Sequence, residues 1–277
     1  MIIIDGRKLR DDILAEVKRE VTTLPFQPVF CDILVGEDPS SAQYVRMKAK
    51  TAESLGIKFH GASFPANITT EELAKEIGAL NKMENMCGLI VQLPLPESLD
   101  RRKILDAIDP EIDVDFLGSV AGEEFYKGKT KRGFPTAMAA MALLDSLNIN
   151  LDHKKIVVLG QGELVGRPVM ALLKFRGLDP SPVRRSTENK EQIIKEADVI
   201  ISGIGHGKHI TGDMVKKGVI IIDAGTSESN NAIVGDVDPD SVKDVASFIS
   251  PVPGGVGPVT VAMLLQNVLE VAKSKTK

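Results

Sequence analysis

Short apolar runs bounded by Gly and Pro alternate with amphipathic stretches along almost the whole chain, the pattern of βαβ units with parallel sheets. “VFCDILVG” (29–36) predicts a buried strand ending in glycine, and “PSSAQYVRMKAKTAESLGI” (39–57) a helix with Ser40 or Ser41 near its cap and Gly56 at its end. “NITTEELAKEIGALNKM” (67–83) predicts a second helix, with Thr and Glu in its first turn. “CGLIVQLPLP” (87–96) reads as a short strand stopped by Pro94 and Pro96. A polar, irregular region from Asp109 to Arg132 breaks the rhythm, and a helix “PTAMAAMALLDSLNI” leads into a second series. There, strands are expected at 154–160, 197–205, 218–225 and 245–250, with a helix at 163–177 after the first of them. The domain limits this implies are 1–138 with 257–277, the C-terminal helix returning to the first domain, and 139–256 for the second.

With 277 residues, 43% hydrophobic and 26% charged, the chain has room for two globular domains. A net charge of −4 gives no basic footprint for nucleic acid. No 18-residue apolar stretch occurs, and Met1-Ile2-Ile3-Ile4 runs straight into Asp5, so neither a membrane span nor a signal peptide is expected. Cys31 and Cys87 sit in apolar runs, as buried thiols of a reducing cytoplasm do. Four histidines show no metal-ligand spacing, and the “HGKH” pair lacks a third ligand, so no metal is expected.

“VVLGQGELVGRP” follows a strand and opens a helix, the context a dinucleotide fingerprint needs. Gly160 permits the tight turn, Gly162 lets backbone approach a pyrophosphate, and Gly166 allows close helix packing. The spacing is GxGxxxG, looser than the usual fingerprint, and an unoccupied strand–helix turn would read similarly. NAD sites carry an acid about 20 residues on. Here “VRRSTEN” brings Arg184 and Arg185, two guanidiniums suited to a 2′-phosphate, although a solvated basic pair is the plainer alternative.

Tyr44 and Lys48 stand one helical turn apart in “YVRMK”, a weak signal alone. Its company is stronger: “VGEDPSSAQYVRMKAK”, “GLIVQLPLP”, “IDVDF”, “GQGELVGRP” and “SPVPGGVGPVT” occur in that order. Across essentially the whole chain these blocks resemble the bifunctional methylenetetrahydrofolate dehydrogenase/cyclohydrolases. The resemblance implies two α/β domains flanking a cleft, the second a Rossmann-type parallel-sheet domain for NADP, and a homodimer. It implies folate contacts at Tyr44, Leu93, Asp115, Pro253, Gly254 and Gly257. For the cofactor it implies Gly160, Gln161, Gly162, Val165, Gly166, Arg184, Arg185 and Thr226.

On this reading hydride transfer needs chiefly alignment, and hydrolysis of the methenyl product needs a proton shuttle, for which Lys48 is the candidate. A basic Lys48 must spend time neutral, which burial or nearby positive charge promotes. Gln92 would hydrogen-bond Lys48 without supplying an anion that keeps it charged. Tyr44 offers a ring to the aminobenzoate, and Asp115 would accept the pterin's N–H donors. Read without the family, Asp115 could cap a helix, Gln92 could satisfy strand-end backbone, and the bare “PVPGGVGPVT” loop could be a plain hinge. The chain departs from the family pattern at “DVDFLG”, where Phe116 replaces a glycine beside the pterin pocket, at “FPTA”, at “GQG” and at Arg184-Arg185. A short-chain alcohol dehydrogenase is the rival enzyme, but it needs a Tyr after the glycine loop, and none follows residue 126. A non-catalytic nucleotide-binding module is the other rival, disfavoured by the intact Tyr44, Lys48, Gln92 and Asp115 set.

Overall fold

The computed structural model describes residues 1–229 and 232–276. Its strands are β1 (Ile2–Ile3), β2 (Val29–Val35), β3 (Lys58–Phe64), β4 (Met86–Val91), β5 (Ile156–Leu159), β6 (Ser181–Val183), β7 (Val199–Ser202), β8 (Ile220–Asp223), β9 (Ser227–Ser229), β10 (Ala232–Val234) and β11 (Phe248–Ile249). Contacts divide the chain into two compact units, one of Met1–Asp11 with Phe134–Met263, the other of residues 12–133 with the stretch from Leu264.

The first of these units is built on a parallel sheet ordered β1-β11-β8-β7-β5-β6. Its central strands IVVL, VIIS and IIID bury every residue, because helices cover both faces of a parallel sheet and leave no polar side. The expected strands at 154–160, 197–205, 218–225 and 245–250 are β5, β7, β8 and β11. β6 lies at the sheet edge, where Pro182 costs no central ladder bond. The crossover from β5 runs to β6 on one side and the chain returns to β7 on the other. The carboxyl end of β5 is thus a topological switch point, where open α/β sheets bind ligands.

The expected limits, 1–138 with 257–277, differ from these units at several places. β1 pairs in parallel with β11 (Ile2↔Phe248, Ile3↔Ile249), which carries residues 1–11 to the six-stranded sheet. The helix Val256–Ser274 is continuous, so the chain passes between units within it, after Met263. Residues 230, 231 and 277 of the expected ranges lie outside the described residues.

The other unit holds a parallel sheet ordered β3-β2-β4, with β2 paired on both sides. The helix Pro39–Ser54 follows β2, and its cap is Asp38 rather than Ser40 or Ser41. Pro39 takes the first helical position, so the capping side chain must precede it, and the Asp38 carboxylate accepts from the Ser41 N–H at 2.7 Å. The region 109–132 is less irregular than its composition suggests, since it contains the helix Ser119–Tyr126. Asn267 of the C-terminal helix donates to the Val114 and Gly133 carbonyls at 2.9 and 2.7 Å, pinning this region.

Candidate active site

The Asp38-capped helix presents Tyr44 and Lys48 on one face, and Lys48 is buried, its side chain 2% exposed. Its Nζ donates to Gln92 Oε1 at 2.8 Å and lies 4.9 Å from the centre of the Tyr44 ring. Gln92 is fixed from two directions. Its backbone N–H extends the β2–β4 ladder to the Ile33 carbonyl at 2.8 Å, and its side-chain amide donates to the Leu93 carbonyl at 2.6 Å. With the amide nitrogen so engaged, the oxygen is the atom left for the ammonium. Leu93 is half-buried beside it, and both Leu93–Pro94 and Val252–Pro253 are cis.

Gln92 brings Lys48 no anion, but Asp32, which the sequence reading does not single out, does: its Oδ2 stands 2.7 Å from Nζ with its side chain 0% exposed. Sequence reasoning misses Asp32 because “VFCDILVG” reads as one buried strand. The signal was present as one ionisable residue inside a run that β2 buries almost completely.

Asp113 and Asp115 divide two jobs. Asp113 is buried and accepts backbone N–H groups of Asp115, Phe116 and Gly118 at 3.1, 2.8 and 2.8 Å, which shapes the turn. The Asp115 carboxylate makes no hydrogen bond among the described residues. Burial pushes it up to about 7; Lys48 opposes the rise, and Asp113 and Asp32 add to it. Burial also raises the Tyr44 phenol, with Asp115 and Asp32 contributing.

Phe116, at φ 62°, holds a backbone conformation that glycine would adopt without strain. Its ring is buried edge-on to Phe125 at 6.1 Å, with the Arg132 guanidinium 5.5 Å from its centre. Releasing the strain is worth about 1 kcal/mol, whereas deleting a buried Phe side chain costs about 3–5 kcal/mol. Phe116→Gly should therefore destabilise the protein by about 2–4 kcal/mol in denaturant unfolding, despite the better-suited backbone. A neutral or stabilising effect would mean the ring contributes no packing.

At the end of β5 the glycines have separable reasons. A Cβ on Gly160 (φ 82°) would stand 2.6 Å from the Gly203 carbonyl oxygen, and one on Gly166 2.0 Å from that of Gly160. Gly162 has nothing within 4 Å of that point, so this side of the loop is open. The ten-residue helix Gly166–Phe175 starts there, directing its N-terminus at the same space. Gln161 turns its amide back to the Gly160 carbonyl at 2.7 Å, and Val165 is buried against Gly203. Arg184 and Arg185, directly after β6, are exposed, with the Arg184 N–H donating to Thr187 Oγ1 at 2.8 Å. Thr226 is exposed after β8. An open backbone cradle, a helix N-terminus and two exposed guanidiniums fit a dinucleotide carrying a 2′-phosphate.

In the 251–260 stretch the fold itself accounts for two bare positions. Gly254 has φ 111°, and a Cβ on Gly255 would meet the Pro251 carbonyl oxygen at 2.6 Å. Gly257, in the first turn of the helix Val256–Ser274, faces open space, with Pro253 four residues before it. Among the described residues no group of three or more His, Cys, Asp or Glu could hold a metal ion. No helix of the described residues is long and apolar enough to cross a membrane.

Comparison with known proteins agrees with this geometry. The tetrahydrofolate dehydrogenase/cyclohydrolase catalytic-domain model matches residues 4–115, and the NAD(P)-binding-domain model of the same family matches 135–276. The “Bifunctional protein FolD” of Nitratiruptor sp. is 39% identical over 281 residues, covering 100% of both chains. The solved structure of the bifunctional enzyme FolD, methylenetetrahydrofolate dehydrogenase/cyclohydrolase, from Campylobacter jejuni superposes with a TM-score of 0.95 at 36% identity, covering 99% of each chain. That of the Trypanosoma brucei enzyme, complexed with NADP and an inhibitor, gives 0.93 at 34% identity, over 100% of this chain and 99% of that one. On the strength of both domain models and full-length relatives, the chain belongs to the tetrahydrofolate dehydrogenase/cyclohydrolase family.

Proposed function

We propose that the chain oxidises 5,10-methylenetetrahydrofolate to the 5,10-methenyl form with NADP and hydrolyses that product to 10-formyltetrahydrofolate, using Lys48 as the acid/base of the second step. The observation that carries this reading is the buried Lys48 Nζ hydrogen-bonded to Gln92 at 2.8 Å in a chain that matches a family relative over that relative's whole length. Bound NADP supplies the hydride acceptor. The chain's own part in that step is alignment: the 160–166 loop and helix N-terminus would hold phosphates, Arg184 and Arg185 after β6 would take the ribose 2′-phosphate, and Thr226 after β8 would be a further cofactor contact. Tyr44 packs the aminobenzoate, with Leu93, Pro253, Gly254 and Gly257 as further folate contacts, and the Asp115 carboxylate accepts the pterin's N–H donors. In hydrolysis the neutral Lys48 amine takes a proton from water attacking the methenyl carbon and gives it to the departing nitrogen as the carbon–nitrogen bond opens, while the remaining hydroxyl proton leaves to solvent as the formyl C=O forms. Gln92 keeps Nζ aimed while this happens.

Two buried free thiols, Cys31 and Cys87, support a reducing cytoplasmic location, and the family likeness implies a homodimer, which sedimentation would read directly. The reaction is tested by mixing the protein with methylenetetrahydrofolate and NADP and following methenyl and NADPH absorbance. Absence of both products would end the proposal. For the cofactor, changing Arg184 and Arg185 together to Ala should raise the KM for NADP by about 10–100-fold and that for NAD by less than about threefold. Equal losses for both would show that the arginines do not read the 2′-phosphate.

A further inference from the structure

Asp32 is a carboxylate with 0% side-chain exposure in the central strand of its sheet, and Lys48 Nζ stands 2.7 Å from its Oδ2. Neither carboxylate oxygen accepts a hydrogen bond of normal geometry among the described residues. A bare buried charge is costly, and a fold that needed only packing would place Val or Ile at the centre of “VFCDILV”. Asp32 therefore has its place through Lys48. We propose that Asp32 is the positioning residue for Lys48, supplying the counter-charge that fixes its Nζ against Gln92. The inference rests on the reading of Lys48 as the acid/base of methenyl hydrolysis.

The surroundings identify the pair as the controlling contact. On its own helix Lys48 meets the Tyr44 ring, and from the end of β4 it meets the neutral Gln92. From the turn at 113–118, Asp115 lies within electrostatic reach of both Lys48 and Asp32, with Asp113 beside it. Asp113 in turn is spread over three backbone N–H groups and faces Arg132. On β2 the neighbouring Cys31 thiol is pushed up to about 12, chiefly by burial and then by Asp32, so it stays neutral. Asp32 is thus the anion at contact distance from Nζ, and burial holds its own carboxyl above the ordinary range. Removing it takes away the counter-charge, and a desolvated ammonium without one gives up its proton more readily.

The test uses the full-length enzyme, Asp32→Asn, and Asp32→Val as a second variant should the amide disturb the fold. The first readout is the pH profile of kcat for methenyl hydrolysis at saturating substrate. Its rising limb should move by about one to three pH units to lower pH. The second readout is the ¹³Cε resonance of Lys48 in lysine-labelled protein, assigned by its absence in Lys48→Met, and its titration should move the same way. A titration that stays put in both Asp32 variants overturns the proposal. A titration that moves while the hydrolysis limb does not supports the Asp32 pairing, and what then fails is the acid/base reading of Lys48.

Discussion

Replacing Lys48 by Met is expected to slow methenyl hydrolysis by about 10²–10⁴-fold, the usual contribution of a positioned acid/base, while NADP-linked oxidation loses no more than about tenfold. Methenyltetrahydrofolate should then accumulate, because hydride transfer uses no protein proton. Formation and decay of methenyl absorbance, followed separately, distinguish the two steps. Hydrolysis at the parental rate would reduce the Tyr44–Lys48 pair to substrate packing. The buried partner changes how this variant must be made. Without its lysine, Asp32 is a lone carboxylate in an apolar strand, a loss worth about 3–5 kcal/mol of stability near neutral pH. The sign follows from the direction of its shift. Burial raises the folded-state carboxyl, so stability is full below the ordinary aspartate range and is lost as pH rises through the higher folded value. Lys48→Met should therefore unfold more easily at pH 8 than at pH 5. Adding Asp32→Val should restore much of the loss, and the double variant is the cleaner carrier for the kinetic test.

The contrast between Lys48 and Asp32 shows how far the sequence could be read. The one-turn spacing of Tyr44 and Lys48 places both on one helix face, a local feature the sequence carries, while their functional roles and that of Gln92 come from the family resemblance of the blocks around them. Asp32 was not legible, because its partner lies 16 residues away across a strand-to-helix connection, and periodicity records burial without recording what a buried charge faces. The 1–11 segment shows the same limit. β1 is two residues long, and its pairing with β11 spans almost the entire chain. Asp38 illustrates a milder miss. Pro39 fixed the first helical position, so the capping residue could have been deduced from chain order alone. The central strands of the six-stranded sheet were read correctly because burial on both faces leaves continuous apolar runs with little to misinterpret.

Asp115→Ala should weaken both activities together, since it removes binding that oxidation and hydrolysis share. Loss of a charge-assisted, two-point hydrogen bond is worth about 1.5–3 kcal/mol, or about 10–100-fold in kcat/KM for each step. The turn offers no substitute: Asp113 is committed to the N–H groups of Asp115, Phe116 and Gly118. The pH dependence supplies a sharper signature. Burial, opposed by Lys48, leaves the free enzyme's Asp115 at about 7, so below neutrality it is largely protonated and cannot accept from two N–H donors at once. Folate binding should thus tighten as pH rises through about 7 and level off about one unit above it, since donors stabilise the ionised form. In Asp115→Ala that rise should vanish, leaving a flat, weak profile, and Asp115→Asn should be equally flat because its amide does not titrate. The measurement is folate affinity by equilibrium titration from pH 5.5 to 8.5, where turnover does not enter. A wild-type profile without the rise, or an alanine variant with undiminished affinity, would make Asp115 a bystander to the turn that Asp113 builds.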